Sequence, residues 1–70
     1  MRPTKETFRI AKEAALARGW TRVRFERCIQ DGVVYHLPYD CPPGACVGTP
    51  QFVVVHKDLS VSFITIHELP

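Results

Sequence analysis

Three cysteines, three histidines and a set of clustered arginines are the side chains in this chain with the widest chemical reach. Cys41 and Cys46 bracket Pro42-Pro43-Gly44-Ala45. Four intervening residues are too many for a thioredoxin-type pair, which needs two. The same pair is half of a zinc site only if Cys28, His36 or His56 converge on it, because no second ligand pair stands at knuckle spacing. A bent loop also brings two such sulfurs within disulfide reach. For thiol nucleophilic catalysis the chain offers Cys41 and Cys46, with His36, His56 and His67 as bases and Asp40 as orienter. Thiol- or metal-dependent activity at the Cys41–Cys46 loop is therefore the enzyme-class alternative. The plainer reading is three reduced loop or strand thiols, with the histidines as partly solvated strand residues at hairpin ends.

The cations are placed unevenly. Residues 1–30 carry eight Lys and Arg against three acidic residues, and residues 31–70 carry one against four. The halves stand at +5 and −3, which suits an anionic partner or two complementary faces that meet in self-assembly. Arg22 and Arg24 on one strand face, with Lys5, Arg9 and Lys12 on a helix, form the candidate stripe for phosphate contacts. No recognition-helix or aromatic RNA-binding pattern accompanies them and the net charge is only +2. Nucleic acid thus ranks behind a protein partner.

The elements that must position these groups follow from capping and periodicity. Thr4 is an N-cap for a helix from Lys5, Glu6 complements its dipole, Arg18 lies in the last turn and Gly19 ends it. On a helical wheel Phe8, Ile10, Ala11, Ala14 and Ala15 share one slim apolar arc, suited to close packing on a sheet, and Leu16 falls on the polar side. Trp20 plugs the corner that follows. From Thr21 the period becomes two, with Thr21, Val23, Phe25 and Ile29 on one side and Arg22, Arg24, Glu26, Cys28 and Gln30 on the other. Arg27 is the exception on the apolar side.

Asp31-Gly32 marks a hairpin. A three-residue loop, Gln30-Asp31-Gly32 with Gly32 left-handed, pairs Ile29 with Val33, Phe25 with Leu37 and Val23 with Tyr39, and turns Val34 and His36 away with the arginines. Residues Tyr39 to Pro50 form a long loop whose prolines and glycines exclude helix and ladder. The densest β-branched stretch closes the chain as strands Gln51 to His56 and Val61 to His67 around the turn Lys57-Asp58-Leu59-Ser60.

These elements predict a single α+β domain over residues 1–70, with one N-terminal helix packed on a four-stranded antiparallel sheet in meander order. In the final hairpin, pairing His56 with Val61 places Phe52, Val54, Val61 and Phe63 on one face. Val53, Val55, Ile64 and Ile66 take the other. One helix covers one face, so the uncovered one predicts a homo-oligomer, in the simplest case a dimer. The expected interaction residues are Phe52, Val54, Val61, Phe63, Arg22 and Arg24. No apolar run approaches a membrane span and no secretory leader is read, which predicts a cytoplasmic protein. No cofactor, metal or catalytic residue is expected.

The stretch Val47-Gly48-Thr49-Pro50-Gln51-Phe52-Val53-Val54-Val55-His56-Lys57-Asp58 resembles the "G-x-P, apolar strand, turn, strand" segment of the immunity protein 35 family of bacterial toxin systems. In that family a helix precedes an antiparallel sheet. The likeness spans roughly fifteen residues; Val33-Val34-Tyr35-His36 stands where the family has an aromatic GW-type strand, and the turn glycine is absent at Leu59-Ser60. The resemblance implies a non-enzymatic protein that binds another protein, with no catalytic residues to carry over.

Overall fold

The computed structural model describes residues 2–38 and 50–69. The expected readings of Tyr39, Asp40, Cys41, Cys46 and the loop around them lie outside these residues. Helix α1 (Lys5–Ala17) is followed by strands β1 (Arg24–Ile29), β2 (Gly32–Leu37), β3 (Gln51–His56) and β4 (Val61–Thr65). A 3₁₀ turn (Ile66–Glu68) comes after them. The strands form one antiparallel sheet in the order β1-β2-β3-β4. The α+β meander expected from periodicity is the fold.

α1 begins in a reciprocal cap. Thr4 Oγ1 accepts from Thr7 N at 3.1 Å, and Thr7 Oγ1 accepts from Thr4 N at 2.8 Å, so two otherwise orphaned amides are satisfied. The helix ends at Arg18, the C-cap, beyond the last turn in which it was expected. Gly19 follows at φ +95°. Its amide reaches Leu16 O and that of Trp20 reaches Ala15 O, a Schellman closure for which glycine is suited. The buried stripe is Thr7, Ala11 and Ala15. Phe8, expected on that face, stands on its flank at 41% exposure.

The first hairpin corrects the expected register. Ile29 pairs with Gly32, Cys28 with Val33 and Phe25 with Tyr35. The loop is Gln30-Asp31, and Gly32 belongs to β2. Gly32 is not left-handed; only Gly19 and Leu59 have positive φ among the described residues. Glycine is needed at position 32 for a different reason. A Cβ there would overlap the carbonyl oxygen of Val55 and lie 3.0 Å from His56 Cα on β3. A β-bulge at Glu26, between Phe25 and Arg27, shifts the ladder by one residue. It moves Arg27 to the side away from the helix and Cys28 to the helix side. The lone cation expected on the apolar face is thereby removed from it.

The second hairpin is shifted too. Val55 pairs with Val61, Val53 with Phe63 and Phe52 with Ile64. Phe52 and Val54 therefore face away from α1, whereas Val61 and Phe63 face it. The four do not form one surface. β4 also stops at Thr65 rather than His67, because Glu68 turns back to accept from Thr65 N at 3.0 Å and Thr65 Oγ1 at 3.1 Å.

Two apolar layers result. On the helix side Ala11, Ala15, Val33, Tyr35, Leu37, Val53 and Val55 are buried, with Trp20, Val23, Val61 and Phe63 packed at the margin. Each fully buried Val or Leu contributes about 1.5–3 kcal/mol. On the far side Val34, Phe52 and Val54 form a second cluster, with Ile29, Ile64 and Leu69 against it. Val34, Phe52 and Val54 are at most 3% exposed within the single chain. The uncovered apolar face that motivated self-association is therefore not present as expected. One contributor is Leu69, which the 3₁₀ turn folds back onto the sheet.

Candidate functional site

Two places in the fold gather side chains that a partner or reagent can reach. The first is the shelf between α1 and β1. α1 lies over β2, β3 and β4, and β1, an edge strand, runs beyond its flank. Phe8 from the helix and Phe25 from β1 both meet the buried Tyr35 ring in T-shaped contacts, with centroids at 6.0 and 6.3 Å. They remain 41% and 48% exposed. Lys12 holds its ammonium 5.9 Å from the Phe8 ring. The exposed Cys28, the free thiol among the described cysteines, lies on the same side of β1. Residues 24–28 are all exposed.

The expected interaction residues are dispersed around this scaffold. Phe52 and Val54 are buried on the far side, and Val61 and Phe63 are partly buried beside the helix. Arg18 lays its guanidinium carbon 3.9 Å from the Phe63 ring centroid. Arg24 faces away from the helix, as expected, and its Nη2 lies 3.2 Å from His36 Nδ1. An arginine only donates, so the imidazole accepts at Nδ1 and carries its proton on Nε2. Burial lowers the His36 pKa, the Arg24 charge lowers it further, and Glu26 opposes both. Arg22 is exposed and precedes β1.

The second place joins the ends of the two hairpins. His56 Nδ1 lies 2.8 Å from Asp31 Oδ2, and His56 Nε2 lies 2.8 Å from Ser62 Oγ. Three elements bring them together: Asp31 from the β1–β2 loop, His56 from the end of β3 and Ser62 from β4. The backbone bond from Lys57 N to Asp31 O, at 3.0 Å, holds the two turns in register. A cavity of about 380 Å³ opens beside them, lined by Asp31, His56, Lys57, Asp58, Ser60 and Ser62. The Asp58 carboxylate accepts from Ser60 Oγ at 2.6 Å and Ser60 N at 3.0 Å. Those bonds hold its pKa below the usual carboxylate range.

Sequence reasoning considered His56 as a base, but with a cysteine as its nucleophile and Asp40 as orienter. The serine and aspartate that meet it sit six and twenty-five residues away, across register that was expected one residue differently. The signal that could find them is the pairing of Val54 with Ser62 and of Gly32 with His56. Among the described residues no group of three or more His, Cys, Asp or Glu side chains is placed to hold a metal ion. No helix among them is long and apolar enough to cross a membrane. Compared with protein-family models, curated proteins and solved structures, the chain matches none of them.

Proposed function

We propose that this protein is a small binding module that engages an acidic protein partner on the shelf between α1 and β1, without catalysis of its own at that surface. The observation that carries the reading is the pair of half-exposed rings, Phe8 and Phe25, each packed against the buried Tyr35. Rigid aromatics lose little entropy on binding and serve as anchors. The bulge at Glu26 interrupts regular strand pairing, so the surface favours packed side chains over an added strand. Lys5 and Lys12 border the shelf on the helix, and the first thirty residues carry +5. That charge favours a partner presenting carboxylates around an apolar side chain. The resemblance to the immunity protein 35 family points in the same direction, toward protein binding in a bacterial cytoplasm. A second copy of the chain is the other occupant of this shelf. Two-fold pairing along β1 would crowd Arg22, Arg24 and Arg27 of both copies, which disfavours it.

The test compares wild type with Phe25→Ser and Phe8→Ser, both exposed positions whose variants should keep the fold. A single acidic protein captured from the source cells, purified and titrated calorimetrically, should bind wild type. Either variant should bind it at least about tenfold more weakly, and binding should weaken between about 50 mM and 200 mM salt. Equal affinity for the Ser variants would refute the shelf as the binding surface. Sedimentation of wild type as a dimer that Phe25→Ser dissociates would assign the shelf to a second copy.

A further inference from the structure

We propose that Ser62 is an acyl-accepting nucleophile toward small neutral carboxylic esters, with His56 as its general base and Asp31 as the residue that positions the imidazole. This goes beyond the binding function and rests on different residues, so either can fail alone. The geometry has the order that nucleophilic serine chemistry needs. Ser62 Oγ lies 2.8 Å from His56 Nε2, and Asp31 Oδ2 lies 2.8 Å from His56 Nδ1. A carboxylate acceptor at Nδ1 keeps the neutral ring protonated there, which leaves the Nε2 lone pair for the serine proton.

The step balances without any co-reactant beyond water. Ser62 Oγ adds to the ester carbonyl as its proton passes to His56 Nε2. The carbonyl π electrons move to oxygen, then return as the C–O bond to the alcohol breaks. His56 hands the proton to the departing alkoxide, leaving acyl-Ser62 and neutral imidazole. Water, deprotonated by the same nitrogen, then releases the acid and restores the hydroxyl.

The cavity narrows the substrate class. Its volume of about 380 Å³ admits a small ligand. Its lining holds the carboxylates of Asp31 and Asp58 against the ammonium of Lys57, which disfavours an anionic acyl group. The exposure of the site bounds its power. The Asp31 side chain is 68% exposed and that of His56 25%, so water competes for the orienting bond and dilutes the field on the reacting atoms. A general base of this kind supplies about 10²-fold, the low end of its range.

An alkyl fluorophosphonate tests the assignment, because it phosphonylates activated serines in preference to thiols; Ser62 Oγ bonds phosphorus, fluoride leaves and His56 takes the proton. Intact-mass and peptide mapping should place the adduct on Ser62. Labelling should be lost in Ser62→Ala and slowed about 10²-fold in His56→Ala. For Asp31→Asn the maximal labelling rate should fall while the probe concentration giving half that rate stays the same, a split that a general loosening of the fold would not give. Should His56→Ala unfold, His56→Gln under the same measurement takes its place. An adduct on Ser60 or Lys57 would overturn the proposal, as would no adduct, or a Ser62 adduct formed equally fast without His56.

Discussion

The phenol oxygen of Tyr35 lies 2.8 Å from Thr7 Oγ1 inside the protein, and this one contact ties the first turn of α1 to the middle of the sheet. The Thr7 hydroxyl donates to Thr4 O at 3.0 Å and accepts from Thr4 N at 2.8 Å. The Thr4 hydroxyl reaches the same oxygen at 3.4 Å, so Thr7 Oγ1 is the hub of the cap, and either hydroxyl can supply the proton in its bond with Tyr35. Tyr35→Phe should therefore cost about 1 kcal/mol. Thr7→Val should cost about 2 kcal/mol, because it also removes the reciprocal half of the cap, the acceptor of Thr4 N, and leaves the phenol buried without a partner. Urea titration of the two variants checks the order; a Thr7→Val midpoint above that of Tyr35→Phe would contradict it.

Gly32→Ala should destabilise by about 1–3 kcal/mol through steric overlap rather than backbone torsion. The added methyl meets the Val55 carbonyl and the His56 Cα of the neighbouring strand. Thermal denaturation of Gly32→Ala checks the magnitude. An unchanged midpoint would show that β3 makes room for the methyl at no cost.

Leu59→Gly should stabilise the protein by about 0.5–1 kcal/mol. Leu59 has φ +68° in the turn, where a Cβ costs about 1–2 kcal/mol, part of which glycine's greater unfolded freedom offsets. The turn is otherwise well closed. Leu59 N bonds His56 O at 2.9 Å, and His56 N bonds Ser60 O at 2.8 Å. A thermal midpoint at or below that of wild type would show that the Leu59 side chain, 43% exposed, contributes more than its strain costs.

His36 makes stability fall on the acid side of neutrality. Burial first, and Arg24 second, lower its pKa in the folded protein below the ordinary 6.5. The unfolded chain therefore takes up the proton first. The contribution of neutral His36 is complete above about pH 6.5 and is lost as pH falls through the lower folded value. Denaturation at about pH 7.5 and about pH 5.5 should show wild type losing more stability than His36→Gln. Parallel losses in the two proteins would remove His36 from the account.

Helix α1, the order of the strands and the outward turn of Val34, His36 and Arg24 were legible because caps and alternation are local properties. Register was not. The first hairpin was displaced because alternation cannot see a bulge: Phe25 and Arg27 read as one face, and only the extra residue at Glu26 separates them. The second has a regular ladder and was displaced by its turn, which takes in His56 so that Val55 rather than His56 pairs with Val61. The fate of the second apolar face was hidden for another reason. Ile66 and His67 continue the strand's alternation, yet the Glu68 carboxylate competes for the Thr65 amide and ends it. The Asp31–His56–Ser62 cluster depended on both registers at once, so it was beyond reach from pattern alone.

The bulge at Glu26 makes the length of β1 matter more than its spelling. Glu26 is exposed and spare to the ladder, so most replacements there should pass unnoticed. Removing it would be another matter. A chain one residue shorter would have to reverse every side chain on one side of the gap. Either Phe25 would leave Tyr35 and Arg24 would leave His36, or Arg27 would be turned to the helix side of the sheet and Ile29 pulled from the far layer. In a library of random changes, position 26 should thus tolerate nearly any letter and reject a missing one, the mark of a residue that serves as a spacer.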